Sequence, residues 1–398
     1  MHATTHPVTY GTVTKTFHWL TALLILTAAP LGAIAYRLPY ETNEQLALKA
    51  QLFSFHKTLG VVVFVVALLR ILWALGQPKP DTLHPKRKAE TFLASTVHWL
   101  LYISLVAVPL TGWIHHAATE GFAPILLPIS QELPFVPNDE DVAKLFGGLH
   151  WAWSKILMAA IILHIAGAVK HHVIDKDATL RRMWFGKESG PAVGAHRGGW
   201  TAPLLAVGIY LGVTAGGAAA GIYTSESSVP QAALAEVSSD WVVSEGEIGI
   251  AVTQFGSAVS GGFSDFTAAI SFDPEAEGVM GDVNATIAIT SLSLGTVTSN
   301  ALGADFFAAD TFPTASFVAD ILADGDAYVA DGTLTIKGNA VPLQMPFTLE
   351  LAGDTAVMAA ALTLDRRDFG IGASMTDESN LAFAVDVAIN LTATRSAE

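Results

Sequence analysis

The sequence predicts an α-helical membrane bundle of four helices with a fifth transmembrane helix, followed by an all-β antiparallel barrel. Three observations indicate this fold class: five apolar stretches of membrane-spanning length, alternating hydrophobicity after Tyr223, and an uneven division of charge. Residues 1–222 contain 17 Lys and Arg against 12 Asp and Glu, whereas residues 223–398 contain 4 against 24. The chain therefore has two physically different parts.

The five apolar stretches have roughly the 20 residues that a helix needs to cross the hydrocarbon layer of a membrane. A hydrophobic content of 51% agrees with a large membrane-embedded part. The first stretch is too long to be the apolar core of a signal peptide, so we expect it to remain as a spanning helix. The predicted helices cover residues 16–36, 56–75, 97–117, 149–169 and 200–222.

Basic residues in the loops predict the orientation, because Lys and Arg are enriched on the cytoplasmic side. Loops 76–96 and 170–199 contain four and six basic residues, among them Lys79, Lys187 and Arg197. Loop 118–148 contains one, Lys144, among acidic residues such as Glu120. We therefore predict a multi-pass protein of the bacterial inner membrane with a cytoplasmic N-terminus and a periplasmic C-terminal domain.

The fifth helix has two interpretations. His196 and Arg197 precede it, and the small residues Ala218, Ala219 and Ala220 end it, as in a signal sequence that is cleaved after Ala220. The apolar segment is nevertheless long enough to span the membrane. We favour an uncleaved anchor.

The C-terminal part shows the pattern of strands that bury one face. Apolar side chains occupy every second position in 341–351 and 381–391, and turn residues such as Asp331-Gly332 separate the runs. Several antiparallel strands in about 170 residues favour a sandwich or a closed barrel. The net charge of −15 argues against a nucleic-acid partner, and the absence of cysteine excludes disulfides, thiolate metal sites and c-type haem attachment.

Four histidines lie at two depths of the predicted bundle. His18 is near the inner end of helix 1 and His56 opens helix 2 on the outer side. His150 and His164 are 14 residues apart on helix 4, so they share a face and are separated by about 21 Å. An imidazole inside a bilayer is costly without a partner, and haem iron is a suitable one.

The predicted depths in the membrane match His56 with His150 and His18 with His164. Two such pairs predict two haems. Two imidazoles on one iron leave no open position and favour electron transfer. The alternatives are interfacial histidines that bond to neighbours, or a bundle with a single haem. Arg70 is 14 residues after His56 and either neutralises a haem propionate or extends to the cytoplasmic interface.

Five further histidines lie at the ends of the predicted helices. For His98 we favour a plain interfacial role over a headgroup or quinone contact. The pairs at 115–116 and 171–172 lie at helix ends, where solvated caps are expected.

Residues 8–185 resemble the bacterial cytochrome b561 family. This resemblance implies two haems b in a four-helix bundle, with His18, His56, His150 and His164 as iron ligands. It also implies electron exchange with ubiquinone, and superoxide is a proposed donor in the family. The resemblance rests on His18-Trp19, His56-Lys57-Thr58-Leu59-Gly60, Pro109-Leu110-Thr111-Gly112-Trp113, Leu163-His164, Lys170-His171-His172 and Leu180-Arg181-Arg182-Met183.

Residues 240–395 are similar to the YceI-like family, and residues 186–239 form a cytoplasmic linker, the fifth helix and a periplasmic spacer. The similarity rests on motifs such as Gly262-Phe263-Ser264-Asp265-Phe266 and Arg367-Asp368-Phe369-Gly370. It implies a lipocalin-like antiparallel barrel whose apolar tunnel holds a polyisoprenoid, including a quinone tail. Candidate tunnel residues, for which ordinary core packing is the alternative, are Phe263, Phe266, Phe306, Phe307, Phe312 and Phe317.

Together the two resemblances imply a membrane di-haem cytochrome that moves electrons between quinone and a periplasmic partner. The tethered barrel is then expected to bind the isoprenoid or quinone, with membrane lipid as the surrounding partner. Two alternatives stay open: a superoxide-oxidising quinone reductase, and a non-catalytic lipid-binding redox sensor.

Overall fold

A computed structural model describes residues 9–40, 42–77, 83–84, 86–119, 122–186, 199–224, 234–235, 237–295, 297–325 and 327–396. Lys79, Glu120, Lys187, His196 and Arg197, which enter the arguments on orientation and cleavage, lie outside these residues. The chain divides into two compact units. The helical unit comprises Met1–Arg37, Leu52–Ala118 and Ile125–Thr224, and the β unit comprises Leu38–Gln51, Thr119–Pro124 and Ser225–Glu398.

Five helices in the described residues are long and apolar enough to cross a membrane, as the sequence predicts. They are α1 Thr12–Arg37, α2 Asn43–Leu75, α3 Lys88–Ala117, α4 Glu140–Val173 and α5 Thr201–Ala219.

Three of the helices begin well before the predicted apolar stretches. The prediction that His56 opens α2 is wrong, because the helix starts at Asn43 and continues through polar but helix-favouring residues. Asp139 caps α4, where its Oδ1 accepts the Val142 N–H at 2.9 Å. Helix α5 ends at Ala219, three residues early, because Gly221 takes a positive φ of 70° in the turn that follows.

Helices α3, α4 and α5 pack closely through a shared core of Val97, Leu100, Ile156, Ala160, Ala206 and Tyr210. Ala160 and Ala206 are fully buried, and such small side chains let membrane helices approach one another. The hydroxyls of Ser104 on α3 and Tyr210 on α5 are 2.5 Å apart. The fifth helix is therefore an integral part of the helical unit.

The β unit contains a ten-stranded antiparallel sheet in the order β3-β4-β6-β7-β8-β9-β10-β1-β2-β5. A short helix, α6 (Thr298–Leu302), follows β5. The strands are β1 Trp241–Gln254, β2 Ser257–Phe263, β3 Phe266–Phe272, β4 Val279–Ala288, β5 Leu292–Ser293, β6 Thr314–Asp324, β7 Ala327–Ile336, β8 Asn339–Ala352, β9 Thr355–Asp365 and β10 Leu381–Arg395.

The sheet curls until its edge strand β3 meets the start of β1. Asp240 donates its backbone N–H to the Ile270 carbonyl at 3.0 Å, and the Ile270 N–H is bonded to the Ser239 hydroxyl at 2.8 Å. Gly246 on β1 leaves room for the Phe266 ring, because a Cβ there would lie 2.5 Å from it. The inward side chains enclose an apolar tunnel, which confirms the predicted lipocalin-like barrel.

One end of the barrel is covered by residues from Leu38–Gln51 and Thr119–Pro124, which belong to the same unit. Leu46 is buried with Met375 and Leu381. The rings of Phe122 and Phe255 meet edge to face at 6.1 Å. We call this the covered end of the tunnel.

Candidate functional site

The structure brings the four candidate ligand histidines together in the two predicted pairs. The ring centres of His56 and His150 are 6.0 Å apart, and those of His18 and His164 are 6.1 Å apart. Two imidazoles that bind opposite sides of one metal have ring centres about 6 Å apart, because each metal–nitrogen bond is about 2 Å and each centre lies about 1 Å farther. Both gaps therefore fit an iron between the rings.

The outer pair is oriented by main-chain carbonyls. His56 Nδ1 is 2.8 Å from the Ala28 oxygen, and His150 Nδ1 is 2.9 Å from the Val108 oxygen. A hydrogen bond at Nδ1 fixes the tautomer and leaves Nε2 as the ligand atom, which is the usual arrangement around metal-bound histidine. These residues therefore match the needs of an axial haem ligand pair.

Two glycines make room for the outer imidazoles. A Cβ at Gly32 on α1 would lie 2.6 Å from His56 Cε1, and one at Gly112 on α3 would lie 2.8 Å from His150 Nδ1. Any side chain at these positions would displace a ring. Trp113, the next residue, has a buried indole N–H without a hydrogen-bond partner among the described residues.

Around the inner pair lie two further polar residues. His98 on α3 has its ring centre 5.2 Å from that of His164 and stacks on Tyr102. The His98 side chain is exposed although its ring lies beside that of His164, so its interfacial role stays a prediction. Arg70 lies within electrostatic range of His18, His98 and His164, so the structure places it at the inner pair.

A second polar cluster lies at the C-terminal end of α3. Lys57 Nζ is 3.3 Å from His116 Nδ1, and His116 Nε2 is 2.9 Å from Gln131 Oε1. His115 Nδ1 bonds to the Ala143 carbonyl at 2.7 Å. His116 is only 5% exposed, so the solvated cap expected at 115–116 is wrong. The sequence did not predict this network, because its members come from α2, α3, α4 and the loop between α3 and α4, which lie far apart in the chain.

Charged residues of the last turn of α4, the segment after it and the first turn of α3 form an ion-pair network. Lys170 contacts Glu90 and Asp175, while His171 contacts Asp175 and Asp177. Burial raises the pKa of Asp177, but hydrogen bonds from Thr179, His84 and His171 outweigh it and keep the carboxyl well below its usual range. His171 is thus part of the network rather than a solvated cap, whereas His172 is exposed.

In the barrel, five of the six candidate phenylalanines line the tunnel, namely Phe263, Phe266, Phe306, Phe307 and Phe317. Phe312 does not. It packs near Gly338 instead, where a Cβ would lie 3.0 Å from its ring. Aliphatic and other aromatic residues from nearly every strand complete the wall, so that an apolar chain could be buried along it.

Few polar side chains reach the tunnel: Tyr40, Gln254, Asn300 and Arg366, besides the Trp241 indole. Arg366 is 3% exposed, and its guanidinium donates to the carbonyls of Ala382, Ile371, Gly372, Met375 and Leu381. Its donors are occupied by the main chain, so its part is structural. The sequence analysis did not single out Gln254 or Arg366. The alternation of β1 could have indicated Gln254, which continues the inward positions of Ile250 and Val252, whereas Arg366 lies after β9 and has no such signal.

Comparisons with known proteins divide the chain in the same way. Residues 9–186 match the family model for prokaryotic cytochrome b561, and residues 241–393 match that for the YceI-like domain. Cytochrome b561 homolog 2 of Escherichia coli (strain K12) is 31% identical over 192 residues, which cover 48% of this chain and 97% of that protein. A probable superoxide oxidase CybB of Yersinia pestis is 26% identical over 170 residues, covering 42% and 90%.

Two solved structures are similar to the β unit. The crystal structure of Burkholderia cenocepacia BcnA is 32% identical, covers 37% of this chain and 96% of that chain, and has a TM-score of 0.36. A Campylobacter jejuni YCEI protein is 23% identical, covers 35% and 86%, and has a TM-score of 0.31.

Proposed function

Because this chain belongs to the prokaryotic cytochrome b561 family of haem b electron-transfer proteins, we propose that it moves electrons between a quinone and a periplasmic partner. Its YceI-like domain, of a type that binds isoprenoid ligands, is the tethered holder of that quinone or a related lipid. The observation that carries the proposal is the presence of two imidazole pairs whose ring centres are 6.1 and 6.0 Å apart.

In this proposal His56 and His150 hold the outer haem, and His18 and His164 hold the inner one. When bound, haem supplies one-electron transfer, and two histidine ligands leave no free position for oxygen. The carbonyls of Ala28 and Val108 accept the Nδ1–H of the outer imidazoles, which fixes the tautomer and leaves each Nε2 free to bind iron. Arg70 would neutralise a propionate at the inner pair.

The barrel would bind its lipid through surface burial alone along most of the tunnel. An isoprenoid tail gains about 25 cal/mol for each Å² of apolar surface removed from water. Because the barrel and the cytochrome are one chain, each raises the effective concentration of the other's ligand without new contacts. Attachment of this kind suits a carrier that supplies its own quinone.

The proposal also sets the location and boundaries. The chain would lie in a bacterial inner membrane with a cytoplasmic N-terminus, a cytochrome at 8–185, an uncleaved anchor within 186–239 and a periplasmic barrel at 240–395. The close packing of α5 on α3 and α4 supports retention of the anchor. The start of β1 at Trp241 and the end of β10 at Arg395 support the barrel limits.

Rapid-mixing absorption spectroscopy of the full chain in nanodiscs tests the electron transfer. Reduced haem mixed with ubiquinone should reoxidise within milliseconds to seconds, and His172→Ala, which changes an exposed histidine, should behave like the parent. Haem that stays reduced in the presence of quinone would contradict the proposal and favour the non-catalytic sensor.

Oxidation of superoxide is the second candidate. The similarity to a probable superoxide oxidase favours it, and so does Lys57, which contacts His116 and in its protonated form would attract an anion. Superoxide generated in the same apparatus should reduce the haem of the parent, and Lys57→Met should slow that step more than the step with quinone. Equal slowing of both steps would reject this role for Lys57.

A further inference from the structure

One polar atom of the tunnel wall lacks the partner that a buried amide normally has. Gln254 lines the tunnel and is 8% exposed, yet its Oε1 accepts no hydrogen bond in the described part of the chain. A buried acceptor without a hydrogen bond is destabilising, so native proteins rarely keep one without a use. The tunnel is otherwise apolar along most of its length.

The position of Gln254 identifies which end of the tunnel it serves. It is the last residue of β1 and faces Leu381 on β10 in the strand ladder. Leu381 is buried with Leu46 and Met375, which define the covered end. The Arg366 guanidinium offers no acceptor, because it only donates and is engaged by carbonyls.

We propose that Gln254 binds the head of the barrel's ligand, and that this head is a hydroxyl group which donates to Gln254 Oε1. The ligand is then an isoprenoid alcohol or a prenylated hydroquinone, with its tail along the phenylalanine-lined tunnel and its head at the covered end. This inference rests on the proposed lipid-binding function and adds the headgroup chemistry. It places the reduced, hydroxyl-bearing form of a quinone, rather than the oxidised form, as the preferred guest.

Pairs of ligands that differ only in a hydroxyl or an ether group distinguish binding of the head from binding of the tail. The full chain in nanodiscs is loaded with geranylgeraniol or its methyl ether, and with a prenylated hydroquinone or its dimethyl ether. Ligand retained by the protein is then measured by mass spectrometry. In at least one pair, the hydroxyl form should bind about fivefold to tenfold tighter, as expected for one neutral hydrogen bond. The pair that discriminates identifies the source of the hydroxyl.

Gln254→Leu should abolish this discrimination while the tail-driven binding of both ethers persists. The substitution removes an unsatisfied polar atom, so the barrel should keep its thermal stability, which circular dichroism checks. Gln344→Leu, which changes an exposed glutamine on β8 that does not line the tunnel, should leave the discrimination unchanged.

Equal binding of hydroxyl and ether forms by the parent would overturn the role of Gln254 and leave lipid binding intact. Discrimination that survives in Gln254→Leu would overturn it as well. Failure of the parent to retain any probe would instead reject the lipid-binding function on which the inference rests.

Discussion

The two units position their candidate ligand groups in opposite ways. In the helical unit single atoms matter: one carbonyl orients each outer imidazole, and one missing Cβ makes room for each ring. In the β unit the wall is a large apolar surface to which many side chains contribute in small amounts, and Gln254 is the exception. Single substitutions should therefore abolish the binding of one haem but only weaken lipid binding, unless they block the tunnel.

The largest effect is expected at the two glycines. Gly32→Ala and Gly112→Ala place a Cβ within 3 Å of an outer imidazole, so each should lower the bound haem from two per chain to one. Gly167→Ala on α4 is the matched control, since no atom of the described residues lies within 4 Å of its added Cβ. Haem absorbance per protein measures the outcome, and full haem content in both variants would contradict the packing argument.

The second-largest effect is expected when a large side chain blocks the tunnel. Met358→Trp on β9 points a large ring into the tunnel, whereas Val357→Trp on the same strand points outward, where Val357 is 47% exposed. The first variant should lose most of the retained lipid, and the second should keep it, with haem content unchanged in both. If the two variants retain lipid equally, the ligand does not occupy this tunnel.

The residues changed in these two tests differ in how far the sequence could predict them. Histidine is rare and costly inside a membrane, so the depths of four histidines predicted the two pairs. The resemblance to the cytochrome b561 family was the stronger argument that these pairs bind haem. The glycines beside the rings and the Lys57–His116 contact depend on which helices adjoin, and periodicity carries no such information.

In the barrel, alternation predicted the inward face but not the ends of the tunnel. Phe312 occupies a turn-rich segment and packs on Gly338, outside the wall that its neighbour Phe317 helps to form. Gln254 lies in the inward phase of β1, but its polarity predicts a surface residue. Arg366 is buried because the carbonyls of the following loop, such as those of Ile371 and Met375, accept its donors, and no alternation predicts this.

A moderate effect is expected at Arg366. Arg366→Ala leaves several buried carbonyls without donors and should lower the free energy of unfolding of the β unit by about 3 kcal/mol. Arg367→Ala removes a neighbouring guanidinium that is exposed and paired with Asp365, so stability should stay near that of the parent. Thermal unfolding followed by circular dichroism compares the two, and equal losses would refute the assigned role.

The smallest effect concerns the start of α4. Asp139→Ala removes the carboxylate that accepts the Val142 N–H and should destabilise the helical unit by about 1 kcal/mol, while Asp139→Ser keeps a cap. The temperature at which haem is released reports the difference. A release temperature that is unchanged in the alanine variant would show that the cap is irrelevant to haem retention.

The most direct test of the central claim is the number of haems bound per chain after expression with ample haem. Two should be found in the parent and in His172→Ala, and one each in His56→Ala and His18→Ala, which remove a ligand from the outer and the inner pair respectively. A parent value near one, or a parent that binds none, would contradict the assignment of two imidazole pairs to two haems.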